Sequence, residues 1–336
     1  MSVKKPDYYH KKFSKLRLDR VPNRWQANTN HCAPYKPFLL LAMMDLIAQA
    51  QITTNVIELN ADLIDAFDLY WIKVMGKDKQ RNPVLPFYHL KSDGFWHLHA
   101  LSGMEQALAT SSKIHTYKQF YSVIKGATLD EELYTLVQDA QERDKLRQIL
   151  IETYFSPETR PILVEVGTIT AQSFEYSREL VHRSRGTFTL QEAPELDQRY
   201  MAESRTAGFR QVIVKTYHQT CAVCKIRIVT PEGFTAVEAA HIVPWNISHN
   251  DDPRNGLALC GFHHWAFDKG LIGITPDYNI LISPVVPTND PATRALRALH
   301  EHKMLLPDDE LLYPHEKALK WHYAKKYREE VPSHLL

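Results

Sequence analysis

The sequence predicts an α+β protein of two domains joined by a helical connector. The first domain is mostly helical with one small hairpin. The last is a compact arrangement of two strands and a helix around a metal knuckle. Three observations carry this reading. A chain of 336 residues, 44% hydrophobic and 24% charged, is long enough for two moderate cores and ordinary enough in composition to fold. Apolar residues recur at helical spacing through much of the chain before residue 216. Three of the 4 cysteines fall between residues 221 and 260, in tight knuckle spacings.

The expected boundaries are residues 1–125, a helical linker over 126–205, and 206–336. Residues 36–50 read as a buried helix. Pro37 suits a first turn, where its missing N–H costs no bond, and apolar residues fill most faces. Residues 61–74 place Leu63, Ile64, Phe67, Tyr70 and Trp71 on one helical face. Asn82-Pro83 reads as a break, and the aromatic runs 86–90 and 95–98 around Asp93-Gly94 read as the hairpin.

Further along, residues 129–155 carry periodic Leu133, Leu136, Val137, Leu146, Ile149 and Leu150, giving one or two helices that close at Pro157 and Pro161. Polar helical patterns over 171–185 and 195–216 complete the linker and are one candidate dimer contact, the last domain being the other. Residues 235–241 alternate as a strand ending at His241, and residues 255–259 lead into a helix over 262–269. Residues 271–274 and 280–282 flank a second hairpin turn, and residues 315–330 form an amphipathic final helix.

The N-terminus is basic without an apolar run, so a secretory signal is not expected. The apolar run 38–44 is far too short for a bilayer span, and no membrane association is expected. Cysteine usage suits a reducing cytoplasm and a metal site better than a disulfide scaffold, with Cys32 a small buried residue. The formal net charge of +1 hides an uneven distribution. Lys4, Lys5, Lys11, Lys12, Lys15, Arg17, Arg20, Arg24 and Lys36 are opposed over that stretch only by Asp7 and Asp19. Such a run is either a solvated tail or an arm that contacts phosphates.

Cys221-x-x-Cys224 and Cys260-x-x-His263 form two knuckles. Two such pairs offer the four donors that tetrahedral structural zinc requires. The bland alternative is a buried Cys260 and an exposed His263. With all four coordination positions filled by protein, no catalysis is expected at this metal.

His241 at a strand end, Asn255 in the following loop and His264 on the next helix stand in the order and spacing of a known family. The segment 221–274 resembles HNH endonucleases of the ββα-metal type. The resemblance implies hydrolysis of phosphodiester bonds in DNA. His241 would be the general base, because a neutral imidazole accepts a proton at physiological pH. Asn255 would brace the loop through its backbone and is a candidate to polarise His241. His264 would bind a catalytic divalent ion, Mg2+ or Mn2+. Asp268, one turn after His264, is the second candidate ligand. Ala240 occupies the place before the base where many relatives carry a metal ligand. Glu238 reads as a poor substitute, because alternation on a regular strand points it away from the face of His241.

The run Ala33-Pro34-Tyr35-Lys36-Pro37, followed by Pro83-Val84-Leu85-Pro86-Phe87-Tyr88-His89 and the stretch through Trp96, resembles a sulfur-binding domain. Such domains precede an HNH module in some type IV restriction endonucleases. The resemblance covers residues 13–98 and implies binding of double-stranded DNA with a phosphorothioate linkage. It places the sulfur against Leu85, Pro86 and the ring of His89, with a polar edge at Tyr35 and Lys36. A shallow apolar pocket prefers sulfur, because an ordinary phosphate oxygen loses hydration there without repayment. The alternative is that Leu85, Pro86 and Phe87 are hairpin packing and nothing else. Arg17, Arg20, Arg24, Arg81 and Lys91 are candidates for phosphate or guanine contacts.

Because HNH modules generally cut one strand each, a double-strand break implies a homodimer. Three other readings stand beside this one. A nuclease of the same type could read unmodified or base-methylated sequence. A zinc-containing protein could bind DNA with a decayed site, which Ala240 alone favours. A zinc module for protein partners would have no need of His241 and Asn255.

Overall fold

The computed structural model describes residues 4–21, 23–111, 113–192, 200–288 and 290–330. The chain separates into one unit of residues 1–171 with 231–233, and a second of residues 172–230 with 234–336. In the first unit α1 (Pro6–Phe13) precedes α2 (Tyr35–Ala48), α3 (Ala61–Met75) and α4 (Val84–His89). Then come β1 (Trp96–Ala100), α5 (Glu105–Thr110), α6 (Tyr117–Val123), β2 (Ile124–Leu129), α7 (Glu131–Gln138), α8 (Ala140–Tyr154) and the start of α9 (Arg160–Arg183). Every residue from Phe38 to Met44 is fully buried in α2, which packs against α3, α4, α7 and α8. A helix apolar on all sides is stable only when so surrounded. Its one carboxylate, Asp45, accepts a hydrogen bond from Tyr70 at 2.7 Å and pairs with Arg147, as a buried charge must. Cys32 is buried and donates its thiol hydrogen to the Thr29 carbonyl.

Residues 86–90 are not a strand. Asn82 Oδ1 accepts the Val84 N–H at 3.0 Å, and Pro83 presets the backbone angle for a first turn. Asn82-Pro83 therefore starts α4 rather than interrupting order. Gly94, at φ +83°, ends the short 3-10 turn Leu90–Asp93. The small sheet exists, but β1 pairs antiparallel with β2 across α5 and α6, with Trp96 opposite Leu129.

Nor do residues 126–205 stand apart as a linker. Leu129, Leu133, Val137, Leu146 and Leu150 join the first core, while Tyr176 and Leu180 join the second. Apolar stripes this pronounced find burial in whichever core they face. The helical pattern read from residue 195 falls partly outside the described residues; α10 spans Ala202–Thr216.

The second unit continues with β3 (Val237–His241), α11 (Trp245–Ser248), β4 (Gly256–Cys260), α12 (Gly261–Asp268), β5 (Ile272–Ile274), β6 (Ile280–Ile282), α13 (Arg294–Arg297) and α14 (Glu316–Lys325). β3 and β4 are antiparallel, with Val237 opposite Cys260 and His241 opposite Gly256. β5 and β6 form the expected second hairpin, and α14 packs on β5. α10 lies across β3 and β4. A Cβ at Gly256 would come within 2.4 Å of Ile213 and 2.9 Å of Phe209, so only glycine lets α10 approach this closely. Among the described residues, no helix is long and apolar enough to cross a membrane.

Candidate active site and metal knuckle

Cys221 and Cys224 lie in the turn after α10, Cys260 ends β4, and His263 sits in the first turn of α12. Their ligand atoms all fall within 4.8 Å of one another. His263 Nδ1 is 3.1 Å from Cys260 Sγ and 3.6 Å from Cys221 Sγ. Donors sharing one tetrahedral zinc sit ~3.5 Å apart, so the group has the right size. Burial pushes the Cys221 thiol up, but His263 and the backbone N–H groups of Cys224, Cys260 and Val223 reverse this and bring it down to about 6. Burial, helped by the neighbouring Cys221, pushes Cys224 up to about 12 and also raises Cys260. Three sulfurs this close ionise together only around a cation, and a thiolate–imidazole set suits zinc.

His241 ends β3 with its ring stacked on Phe209, centroids 4.0 Å apart and planes 6° from parallel. Its Nε2 lies 2.7 Å from Asp251 Oδ1. Asp251 is buried, and its second oxygen accepts the Tyr176 hydroxyl at 2.8 Å. Sequence reasoning missed Asp251. It stands in a run of polar residues with no spacing rule to distinguish it.

Asn255 is fully buried at the far end of the same loop. Its Oδ1 accepts the Val243 N–H at 2.9 Å, and its Nδ2 donates to the carbonyls of Val243 (3.1 Å) and Asn250 (2.9 Å). The amide thus clamps the two ends of the loop. The side chain hydrogen-bonded to His241 is Asp251, not Asn255. Asn255→Ala is expected to orphan the Val243 N–H and the Asn250 carbonyl, at about 1–3 kcal/mol each. Asn255→Asp keeps the shape but turns an oxygen onto two carbonyls, so it should also destabilise. Calorimetry that found both variants as stable as the parent would remove the clamp.

His264 faces away from the knuckle on α12. Its Nδ1 is 2.8 Å from Glu238 Oε2, and its Nε2 is 3.7 Å from Asp268 Oδ2. This corrects the dismissal of Glu238. β3 belongs to a two-stranded ribbon packed on α12, and such ribbons twist strongly, so strict two-face alternation fails within a few residues. The long Glu238 side chain reaches the helix. Ala240 is buried and offers no ligand. His241, Asp251, Glu238 and His264 all line one cavity of about 580 Å³, together with Arg205 and Arg210 of α10.

In the first unit, α4 presents Leu85 and His89 one helical turn apart, hence on one face, with Leu85 half-buried and His89 exposed. Pro86 is buried beneath them and contributes to packing instead of surface. Desolvation, with the positive charges of Lys36, His115 and Lys91, lowers the pKa of His89. Lys91 lies over the Tyr88 ring at 3.8 Å.

Lys36 does not offer a polar edge at the surface. It is 5% exposed, and its ammonium is 2.6 Å from Asp93. A charge buried at a helix start needs such a partner, and a phosphate contact would have to break the pair. Tyr35 is half-buried with its ring packed on Trp71, centroids 4.6 Å apart. Arg24 pairs with Asp19 and Arg81 with Asp68. Arg17 and Arg20 are exposed, and among the described residues no carboxylate pairs with either.

Residues 221–275 match the family model of the HNH endonuclease domain. Residues 18–171 match the model described as ScoMcrA-like, DNA sulfur-binding domain. Among solved structures, one similar chain is a "Modification dependent TagI restriction endonuclease", 20% identical with a TM-score of 0.29. That likeness covers 37% of this chain and 39% of the other, so this chain matches well under half of it. No curated protein matches.

Proposed function

From a chain that joins a ScoMcrA-like DNA sulfur-binding domain to an HNH endonuclease domain, we propose a restriction-type DNA endonuclease directed to phosphorothioate-modified duplexes. The supporting observation is one cavity lined by both His241 and His264.

His241, with Nε2 turned to Asp251, has Nδ1 left to accept a proton from water. The water O–H bond breaks as its oxygen bonds to phosphorus, and the P–O bond to the leaving oxygen breaks. Glu238, His264 and Asp268 would hold a divalent ion, Mg2+ or Mn2+, which when bound stabilises charge on the phosphoryl and leaving oxygens. Cys221, Cys224, Cys260 and His263 would hold zinc and keep α12 seated on the ribbon. Phe209 and Asp251 keep the His241 ring in one plane. With one such site per chain, cutting both strands takes two copies, and a homodimer is part of this reading.

The face of α4 carrying Leu85 and His89 is where the linkage would be read, with Arg17 and Arg20 as phosphate contacts. Leaving a phosphate oxygen unsolvated against an apolar face costs about 1–3 kcal/mol. A phosphorothioate duplex is therefore expected to bind about 10- to 100-fold more tightly than its unmodified twin. Binding to duplexes that differ only in a phosphorothioate, a methylated cytosine or neither, at fixed salt, decides this. Equal affinity for all three ends the sulfur reading, and preference for the methylated duplex replaces it with base readout. Leu85→Asn should erase most of the difference.

A further inference from the structure

We propose that Asp251 is a positioning residue for the hydrolysis, holding the proton of His241 on Nε2 so that Nδ1 faces the attacking water. This rests on His241 being the general base. Neither the carboxylate nor the residues that hold it belong to the His–Asn–His pattern. Tyr176 and Arg205 lie outside the matched residues 221–275 altogether.

Both oxygens of the carboxylate are committed. Oδ1 meets His241 Nε2 at 2.7 Å; Oδ2 accepts the Tyr176 hydroxyl at 2.8 Å and lies 3.9 Å from the Arg205 guanidinium. Asp251 is 4% exposed and Tyr176 is fully buried, so neither relaxes into solvent. The Arg205 guanidinium is set over the Trp245 ring, 4.5 Å from its centroid. α9 and α10 reach one carboxylate together because Gly208 lets them touch: a Cβ there would come 2.7 Å from the Ser173 carbonyl. Phe209, also on α10, closes one face of the His241 ring. The imidazole is therefore held by a hydrogen bond in its plane and by a stacked ring against its face.

A neutral imidazole carries its proton on one nitrogen, and the partner of that nitrogen chooses which. A carboxylate accepts only, so it selects the Nε2–H form and leaves the Nδ1 lone pair for water. As the water proton moves to Nδ1 the ring becomes cationic, and the fixed negative charge beside Nε2 stabilises it without reorganisation. An asparagine in the same place can donate as well as accept. It removes the charge and admits the wrong tautomer, the loss known for acid–histidine pairs in general.

The test is Asp251→Asn in the full-length, zinc-loaded chain with Mg2+ and a cleavable duplex. The cleavage rate at saturating DNA is expected to fall about 10²- to 10⁴-fold, with affinity for DNA and zinc content unchanged. Nitrogen-15 ring spectra of His241 should show the Nε2–H form in the parent and loss of that form in the variant. Asp251→Glu, which restores the charge, should recover part of both. Tyr176→Phe frees one oxygen of the carboxylate and should give a smaller loss of rate. Parent-like cleavage by Asp251→Asn, with His241→Ala inactive, overturns the positioning role and spares the base. An active His241→Ala overturns the base itself. If Asp251→Asn does not fold, Tyr176→Phe decides: an unchanged rate and ring spectrum refute the proposal, and a shift in both supports it.

Discussion

His241→Ala is expected to cut DNA at least about 10²- to 10⁴-fold more slowly than the parent, the range set by loss of a general base. Binding of the duplex and zinc content should not change. The side chain ends a strand, is held by Asp251 and Phe209, and is not one of the four knuckle residues. Truncation removes the proton acceptor without disturbing the Asn255 clamp, whose bonds run to the backbone of Val243 and Asn250. Single-turnover cleavage, with binding measured separately, makes the distinction. A variant that binds and cuts like the parent takes His241 out of the base role and leaves the cavity without a candidate nucleophile activator.

The other large effect is expected from Cys221→Ser. A structural zinc contributes about 10–16 kcal/mol to folding of a small motif, whereas a whole domain is net stable by about 5–15 kcal/mol. Loss of one thiolate should release the ion and unfold the second unit. The first unit, with its own core around α2, should keep its thermal transition. Cys224→Ser or a strong chelator should reproduce this pattern, and Cys32→Ser should not, because Cys32 belongs to the first core and is not one of the four knuckle residues. Metal analysis and calorimetry that found Cys221→Ser zinc-loaded and undiminished in stability would contradict the ligand assignment.

The two histidines side by side on α12 show what a short spacing conveys. Neighbours on a helix point about 100° apart. His263 therefore meets the cysteines while His264 meets Glu238 and Asp268. The knuckle spacings, the strand ending at His241, the strand and helix after Asn255 and the burial of residues 38–44 were legible for the same reason. Each depends on residues within one or two turns of one another.

Errors began where local pattern was ambiguous. Residues 86–90 have the composition of an aromatic strand, but Pro83 and the Asn82 side chain that accepts the Val84 N–H start a helix that runs to His89. That choice brings Leu85 and His89 to one face, which a strand also offers at even spacing but not at this distance. The resemblance places Lys36 at a polar surface edge, but the fold buries it on Asp93, 57 residues away.

By itself, the sequence determined which side chains stand at which spacing: three cysteines and a histidine in two knuckles, a histidine at a strand end, and a second histidine one helical turn before Asp268. Spacing along one backbone suffices for that, because turns and helices convert it directly into geometry. Only the tertiary structure decided which groups meet. Tyr176 of α9 and Arg205 of α10 meet one oxygen of Asp251 while the other meets His241, and Glu238 reaches His264 because a twisted ribbon packs on α12. Such meetings depend on the packing of helices distant in sequence, and packing leaves no period in the chain from which it can be read.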